Sequence, residues 1–84
     1  MPAFVSLALG SAYFRLDRLP DAERGFRAAL AVDPKLGEAH SNLALVCLLT
    51  GRAAEAQDHV RIAEEATFTV NPELKRQIRA AIGK

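Results

Sequence analysis

The sequence contains one cysteine and two histidines, the residue types that most often bind transition metals: Cys47, His40 and His59. His40 lies two residues from Glu38 and from Asn42, a spacing that puts these groups on different faces of a helix. It has no second His or Cys three or four residues away, the spacing that places two ligands on one helical face. We therefore predict that the chain binds no metal.

The sequence also lacks a recognisable catalytic constellation. Ser6, Ser11 and Ser41 stand in no glycine-rich elbow and have no base arranged beside them. The pair Glu64-Glu65 is typical of a solvated helix surface, and no phosphate-binding loop is present. We expect no enzymatic activity and no cofactor.

The composition is that of a small folded helical chain. Of the 84 residues, 50% are hydrophobic and 25% are charged, which excludes a disordered chain. Ala and Leu dominate, a mixture that favours helix over strand. The net charge is +1 and aromatic residues make up 6%, so we expect neither nucleic acid nor a membrane as a partner.

The sequence contains no feature of a secreted or membrane-spanning protein. A single cysteine permits no internal disulfide, which fits a reducing compartment. The longest apolar run, Leu43 to Leu49, is far shorter than the roughly 20 residues of a membrane span. The apolar segment Met1 to Leu9 has no basic leader and no cleavage site, so we interpret it as a first helix. We expect a cytoplasmic protein.

Turn-forming residues divide the chain into five segments. Leu16 to Pro20 separates the first two, Asp33-Pro34 ends the second and Gly51 ends the third. Thr67 to Val70 ends the fourth, and Asn71-Pro72 begins the fifth as N-cap and first helical residue. Each segment repeats apolar residues at helical spacing, and the connections are short. The sequence therefore predicts an all-α fold of five antiparallel helices.

The chain matches itself when it is shifted by 34 residues. Small residues pair with small ones where two helices would approach closely, which indicates a repeated helical hairpin. The five identical pairs are Leu9/Leu43, Arg18/Arg52, Ala22/Ala56, Arg27/Arg61 and Ala29/Ala63.

These positions resemble the tetratricopeptide repeat, whose pattern is W-x2-L-G-x2-Y followed by Ala, Phe, a small residue and Pro. The first unit departs from it only at the Trp, where Ser6 stands, and it carries Leu9-Gly10, Tyr13, Ala22, Phe26, Ala29 and Pro34. The second unit departs further, with Leu43-Ala44, Cys47, Ala56, Val60, Ala63 and Phe68. The resemblance implies an α-α superhelix in a single domain, 1–84, with repeats at 3–36 and 37–70 and a capping helix at 71–82.

The resemblance also gives roles to the residues considered first. Cys47 takes the position of the Tyr, which implies a buried and inert thiol. His40 takes the position of the Trp as a partly buried side chain, and His59 falls on an outer helix. The last helix carries the polar outer side that a cap needs, from Lys75, Arg76, Arg79 and Lys84.

The family's first helices line a concave groove that holds a peptide or helix of a partner protein. The resemblance places there Phe4, Leu7, Ala8, Ser11, Phe14 and Arg15 from the first unit, Glu38, Ser41, Asn42, Leu45, Leu48 and Leu49 from the second, and Arg76 at the far edge. The set is mainly apolar, and large exposed apolar patches usually mark interaction sites. We predict a scaffold or adaptor module that binds an apolar peptide or amphipathic helix of a partner protein.

Several alternatives stay open from the sequence. A second copy of the chain could cover the groove and form a homodimer. The residues could be part of a longer array and meet adjacent repeats, or some of the leucines could pack inside the module. A carboxylate clamp, used by one subgroup of the family, is poorly supported: its positions fit at Asn42 and Arg76, whereas Leu7 and Pro72 supply no side-chain donor.

Overall fold

The computed structural model describes the whole chain, residues 1–84, as five α-helices joined by short turns. The helices are α1 (Ala3–Arg15), α2 (Leu19–Val32), α3 (Gly37–Leu49), α4 (Ala53–Glu65) and α5 (Pro72–Ile82). No strand is present, which confirms the predicted all-α class and the five helices. None of the five helices combines the length and apolar character that a membrane crossing requires.

Turn and capping residues mark the ends of α3 and α4 and the start of α5. Gly51 follows α3 with φ of 78°, a left-handed conformation that glycine adopts without steric cost. The turn after α4 contains a second positive φ, 62° at Thr67. Asn71 caps α5, because its side-chain oxygen accepts the backbone N–H of Glu73 at 2.8 Å. Pro72 is the first helical residue, as the sequence predicted.

One predicted boundary was wrong. Leu19 and Pro20, which the sequence analysis assigned to the break between the first two helices, form the first turn of α2. Proline is tolerated there because the first backbone N–H groups of a helix have no intrahelical acceptor. The reversal of the chain is therefore confined to three residues, 16–18, and Asp17 adopts φ of 59° within it.

The helices pack as two hairpins and an additional helix around one core. α1 pairs with α2 and α3 pairs with α4, while α3 also packs on α2, and α5 packs on α4 and α3. The core draws residues from both hairpins, from the turn before α5 and from α5 itself: Ala22, Phe26, Leu43, Ala44, Val46, Cys47, Ala56, Val60, Ala63, Val70 and Ile78. Since one helical hairpin cannot bury its apolar face alone, each hairpin depends on the other for stability.

Two glycines allow α1 and α2 to touch. A Cβ placed on Gly10 would lie 2.7 Å from the ring of Phe26, and one placed on Gly25 would lie 2.8 Å from the backbone of Gly10. No methyl group fits at such distances, so the helices approach more closely than alanine would allow. The sequence predicted the close approach at Gly10, but it gave no reason to single out Gly25.

Four charged side chains join α2 to the start of α4. Arg52 Nη1 lies 2.9 Å from Glu23 Oε2, and Arg27 Nη2 lies 2.8 Å from the same oxygen. Arg27 Nη2 also donates to Glu55 Oε2 at 2.7 Å, so one guanidinium bridges the two hairpins. The hydrogen bond from Arg52, followed by that from Arg27, lowers the pKa of Glu23 from 4.5 to about 2. The network therefore adds a polar contact between hairpins to the shared apolar core.

We predict that Gly25→Ala destabilises the protein although alanine is the better helix former. Helix propensity alone would raise the free energy of unfolding by about 1 kcal/mol. The added methyl overlaps the backbone of α1, which cannot move aside as a flexible side chain can, and overpacking typically costs about 1–3 kcal/mol. Urea denaturation measures the difference. Ala28→Gly, at an exposed site in the same helix, isolates the propensity effect. A more stable Gly25→Ala variant would contradict the close approach.

We also predict that Glu23 makes the fold sensitive to acid. Its pKa is lower in the folded protein than in the unfolded chain, so its stabilising effect is complete above about pH 5 and disappears as the pH falls towards 2. Glu23→Gln should lower the free energy of unfolding at pH 7 by about 2 kcal/mol and flatten its pH dependence below pH 5. Denaturation at a series of pH values tests both effects. Glu38→Gln, which removes an exposed carboxylate on α3, is the control and should keep the pH dependence of the wild-type free energy of unfolding. If Glu23→Gln also keeps that pH dependence, the network does not contribute to the stability.

Candidate functional site

A concave cavity of about 150 Å³ lies between α1 and α3. α1 contributes residues at i, i+3 and i+4 and α3 contributes residues at i and i+3, spacings that put each set on one helical face. The floor is Phe26 of α2, which is 1% exposed. The lining residues are Ser11, Phe14, Arg15, Phe26, Asn42 and Leu45.

The structure brings some of the predicted groove residues into this cavity and leaves others outside it. Ser11, Phe14, Arg15, Asn42 and Leu45 line it together. Their shared location follows from the packing of both hairpins against one core, which sets α1 beside α3 across the ring of Phe26.

The other predicted groove residues surround the cavity or lie away from it. Leu7 and Leu48 are half-buried and pack against the core, so part of their surface serves the fold itself. Phe4 and Leu49 remain 69% and 55% exposed. The remaining four are Ala8 and Glu38, which are exposed, Ser41, which is half-buried, and Arg76, which is exposed and pairs with Glu73.

A second, larger cavity of about 480 Å³ lies between α4 and α5, and the sequence analysis did not anticipate it. Val60 and Ile78 are its two hydrophobic lining residues, and both are buried. Lys75 Nζ reaches across to Glu64 Oε2 at 2.7 Å. The other lining residues are Gln57, Arg61, Glu65 and Arg79. This polar lining suits the outer side of a terminal helix better than an apolar docking surface.

His40 and His59 lie against each other between α3 and α4, although they are distant in sequence. Their rings stack with centroids 5.2 Å apart, and their Nδ1 atoms are 3.0 Å apart. The prediction that placed His59 apart on an outer helix was therefore incomplete. Glu55 and His59 are four residues apart on α4, and they share the face that packs against α3.

The same face of α4 lies close to a buried thiol. The possible ligand atoms of Cys47, Glu55 and His59 all lie within 4.8 Å of one another. Cys47 is 0% exposed, which confirms its predicted burial, and this burial raises the pKa of the thiol to about 11. The pKa of Glu55 is lowered by hydrogen bonds from Arg27 and then from His59. The sequence analysis missed this cluster because its members come from two helices.

Comparison with known proteins finds a relationship within the second hairpin. Residues 37–61 match the family model described as tetratricopeptide repeat, and they cover α3 and part of α4. No curated protein and no solved structure gives a significant match to the chain. The matched region contains Leu43-Ala44, Ala56 and Val60, which are among the residues that gave the second unit its resemblance to the repeat. The second hairpin therefore matches a tetratricopeptide repeat, and this match supports the predicted family.

Proposed function

We propose that this protein binds a partner protein by holding an apolar side chain of a peptide or helix in the cavity between α1 and α3. The observation that carries the proposal is the meeting of Phe14 and Leu45 with the polar groups of Ser11, Arg15 and Asn42 in one concavity. Tetratricopeptide repeats in general mediate protein–protein interactions. An apolar anchor surrounded by polar groups is the usual composition of a protein interface.

The size of the cavity supports an anchor side chain over a cofactor. Sites for small molecules usually measure about 300–1,000 Å³, whereas this cavity measures about 150 Å³. Binding energy in protein interfaces is concentrated in a few side chains that fill pockets of this kind. Phe4, seven residues before Ser11 on α1, and Leu49, four residues after Leu45 on α3, are exposed and share a helical face with those lining residues. An amphipathic helix offers apolar residues at the spacing needed to occupy the cavity and contact these exposed side chains together.

The polar groups at the cavity indicate what should flank the anchor. Arg15 is exposed in the last turn of α1 and lines the cavity. Its guanidinium suits a carboxylate of the partner, since arginine and carboxylate form paired charge-assisted hydrogen bonds. Asn42 and Ser11 add donors and acceptors for backbone groups. We therefore propose a ligand with an acidic residue close to its apolar anchor.

The proposal predicts that charge placed on the exposed part of the groove blocks binding without unfolding the chain. Helical peptides selected from a displayed library on the wild-type protein provide the probe. Leu49→Glu should weaken the selected peptides at least about tenfold, equivalent to about 1.4 kcal/mol, since one contact on an interface anchor can contribute this much. Fluorescence anisotropy measures the affinity, and circular dichroism monitors the helix content.

Val32→Glu is the matched control, because Val32 is 58% exposed at the end of α2 and lies outside the cavity. It should bind the selected peptides like the wild type. Equal binding by Leu49→Glu and wild type would exclude the groove as the site, as would equal weakening by both variants.

A difference between equivalent positions of the two hairpins supports a second candidate function. Leu9 is 45% exposed, whereas Leu43, 34 residues later, is 0% exposed. Likewise Ala12 is half-buried and Val46 is 0% exposed. α3 packs against both α2 and α4, whereas among the five helices α1 packs extensively only on α2. We propose that a second copy of the chain packs on this face and forms a symmetric dimer.

If this dimer forms, sedimentation velocity should show a mass that rises with protein concentration. Leu9→Glu should keep the protein monomeric at every concentration, because it buries an unpaired charge in the interface. Leu49→Glu should dimerise like the wild type. A wild type that stays monomeric, or a dimer that Leu49→Glu disrupts and Leu9→Glu does not, would exclude the α1 face as the interface.

A further inference from the structure

We propose that Cys47, Glu55 and His59 form a binding site for a transition metal ion of the Zn²⁺ type, with His40 as a positioning residue. The site lies inside the second hairpin and is independent of the proposed partner groove. It revises the prediction of no metal, which rested on spacing along single helices.

Two facing helices supply the ligands. His40 and Cys47 are seven residues apart on α3, and Glu55 and His59 are four residues apart on α4, so each pair shares a helical face. The ligand atoms of Cys47, Glu55 and His59 lie within 4.8 Å of one another. Zn²⁺ held at about 2.3 Å from sulfur and about 2.0 Å from nitrogen places such atoms about 3.5 Å apart. The ligand atoms must therefore move roughly 1 Å closer together to bind the ion, and small side-chain rotations provide this movement.

The hydrogen bonds of the two histidines orient the His59 ring beside this cluster. The carbonyl oxygen of Pro34 can only accept, so His40 Nε2, 2.8 Å away, carries a hydrogen. His40 Nδ1, on the other side of the ring, faces His59 Nδ1. The two Nδ1 atoms lie 3.0 Å apart, so one of them donates to the other. His59 Nε2, on the opposite side of the ring, faces the carboxylate of Glu55.

The contact between His59 and Glu55 lies beside the buried thiol of Cys47. His59 Nε2 lies 3.1 Å from Glu55 Oε2, a contact that a hydrogen on Nε2 or a metal ion between the two atoms can bridge. The sulfur of Cys47 lies close to both atoms, which is the arrangement that a metal ion requires and a proton does not.

His40 provides the outer contact that metal-bound histidines usually have. A ligating histidine typically donates its second ring N–H to a nearby acceptor, which fixes its tautomer and orientation. Here the chain of contacts runs from His59 Nδ1 to His40 Nδ1 and from His40 Nε2–H to the Pro34 carbonyl. His40 therefore orients His59 without touching the ion.

The burial and chemical nature of the ligands favour a soft divalent ion over Ca²⁺ or Mg²⁺. Cys47 is fully buried, the His59 side chain is 12% exposed and Glu55 is 35% exposed, which leaves a route to solvent on the carboxylate side. Thiolate and imidazole ligands select Zn²⁺ and related ions. The thiol binds as thiolate and releases its proton to the buffer, so thiolate and carboxylate together balance the double charge of the ion. Arg27 and Arg52 also contact the Glu55 carboxylate, at 2.7 and 3.5 Å, and the hydrogen bond from Arg27 lowers the pKa of Glu55.

Titration of the full-length, reduced chain with Co²⁺, followed by displacement with Zn²⁺, tests the site. The expected result is one Co²⁺ per chain, with a thiolate-to-cobalt charge-transfer band and the visible absorption of tetrahedral cobalt, both abolished by Zn²⁺. Cys47→Ser should remove the charge-transfer band, and His59→Gln should lower the affinity for Zn²⁺ at least about 100-fold. Glu64→Gln, a carboxylate on α4 outside the cluster, should behave like the wild type.

His40→Gln separates positioning from ligation. It should lower Zn²⁺ affinity about 10–100-fold while retaining the thiolate band, as expected when an outer contact of a ligating histidine is removed. The absence of a thiolate band in the wild type would overturn the proposal, whether or not any variant folds. Equal Zn²⁺ affinity in wild type and Cys47→Ser would overturn it too, because the ion would then be bound elsewhere on the surface.

Discussion

The ring of Phe26 lies where α1, α2 and α3 meet, and the remaining structure depends on its burial there. On one side it occupies the space that a side chain at position 10 would need, and it is accommodated because that residue is glycine. On another side it forms the floor of the cavity lined by Asn42 and Leu45 of α3. The same ring thus joins α1 to α2, joins the first hairpin to the second and shapes the proposed groove. Its burial stabilises the fold and also determines which residues a partner can reach.

Polar contacts follow from this packing and could not form without it. Because the two hairpins share their core, Glu23 and Arg27 of α2 come within reach of Arg52 and Glu55 at the start of α4. Glu55 in turn lies beside His59 on the face of α4 that packs against α3. A continuous set of charged and titratable groups therefore runs from the contact between hairpins to the buried thiol of Cys47. Binding of an ion in that cluster would couple to the stability of both hairpins, because ligands and salt bridges share the carboxylate of Glu55.

The sequence predicted the elements of the fold well, since most of their signals are local. Gly51 and Asn71-Pro72 end and begin helices through their own backbone preferences, and a period of 34 residues identified the hairpins before any contact was known. The prediction failed at Pro20, because proline is compatible both with a break and with a first helical turn. It also missed Gly25, whose importance comes from Gly10 on another helix. The histidine pair was missed for the same reason: only the register of α3 against α4 brings its members together. The predicted partner residues stay a proposal, although five of them line one cavity.

The central claim is that the two hairpins are one cooperative unit held together at Phe26. Residue-resolved amide hydrogen exchange on Phe26→Ala, compared with the wild type, tests it most directly. If the hairpins depend on a shared core, the backbone amides of α3 and α4 should lose as much protection as those of α1 and α2, by about 3–5 kcal/mol in the most protected sites or to the limit of complete unfolding. Loss of protection in α1 and α2 alone, with α3 and α4 protected as in the wild type, would contradict it.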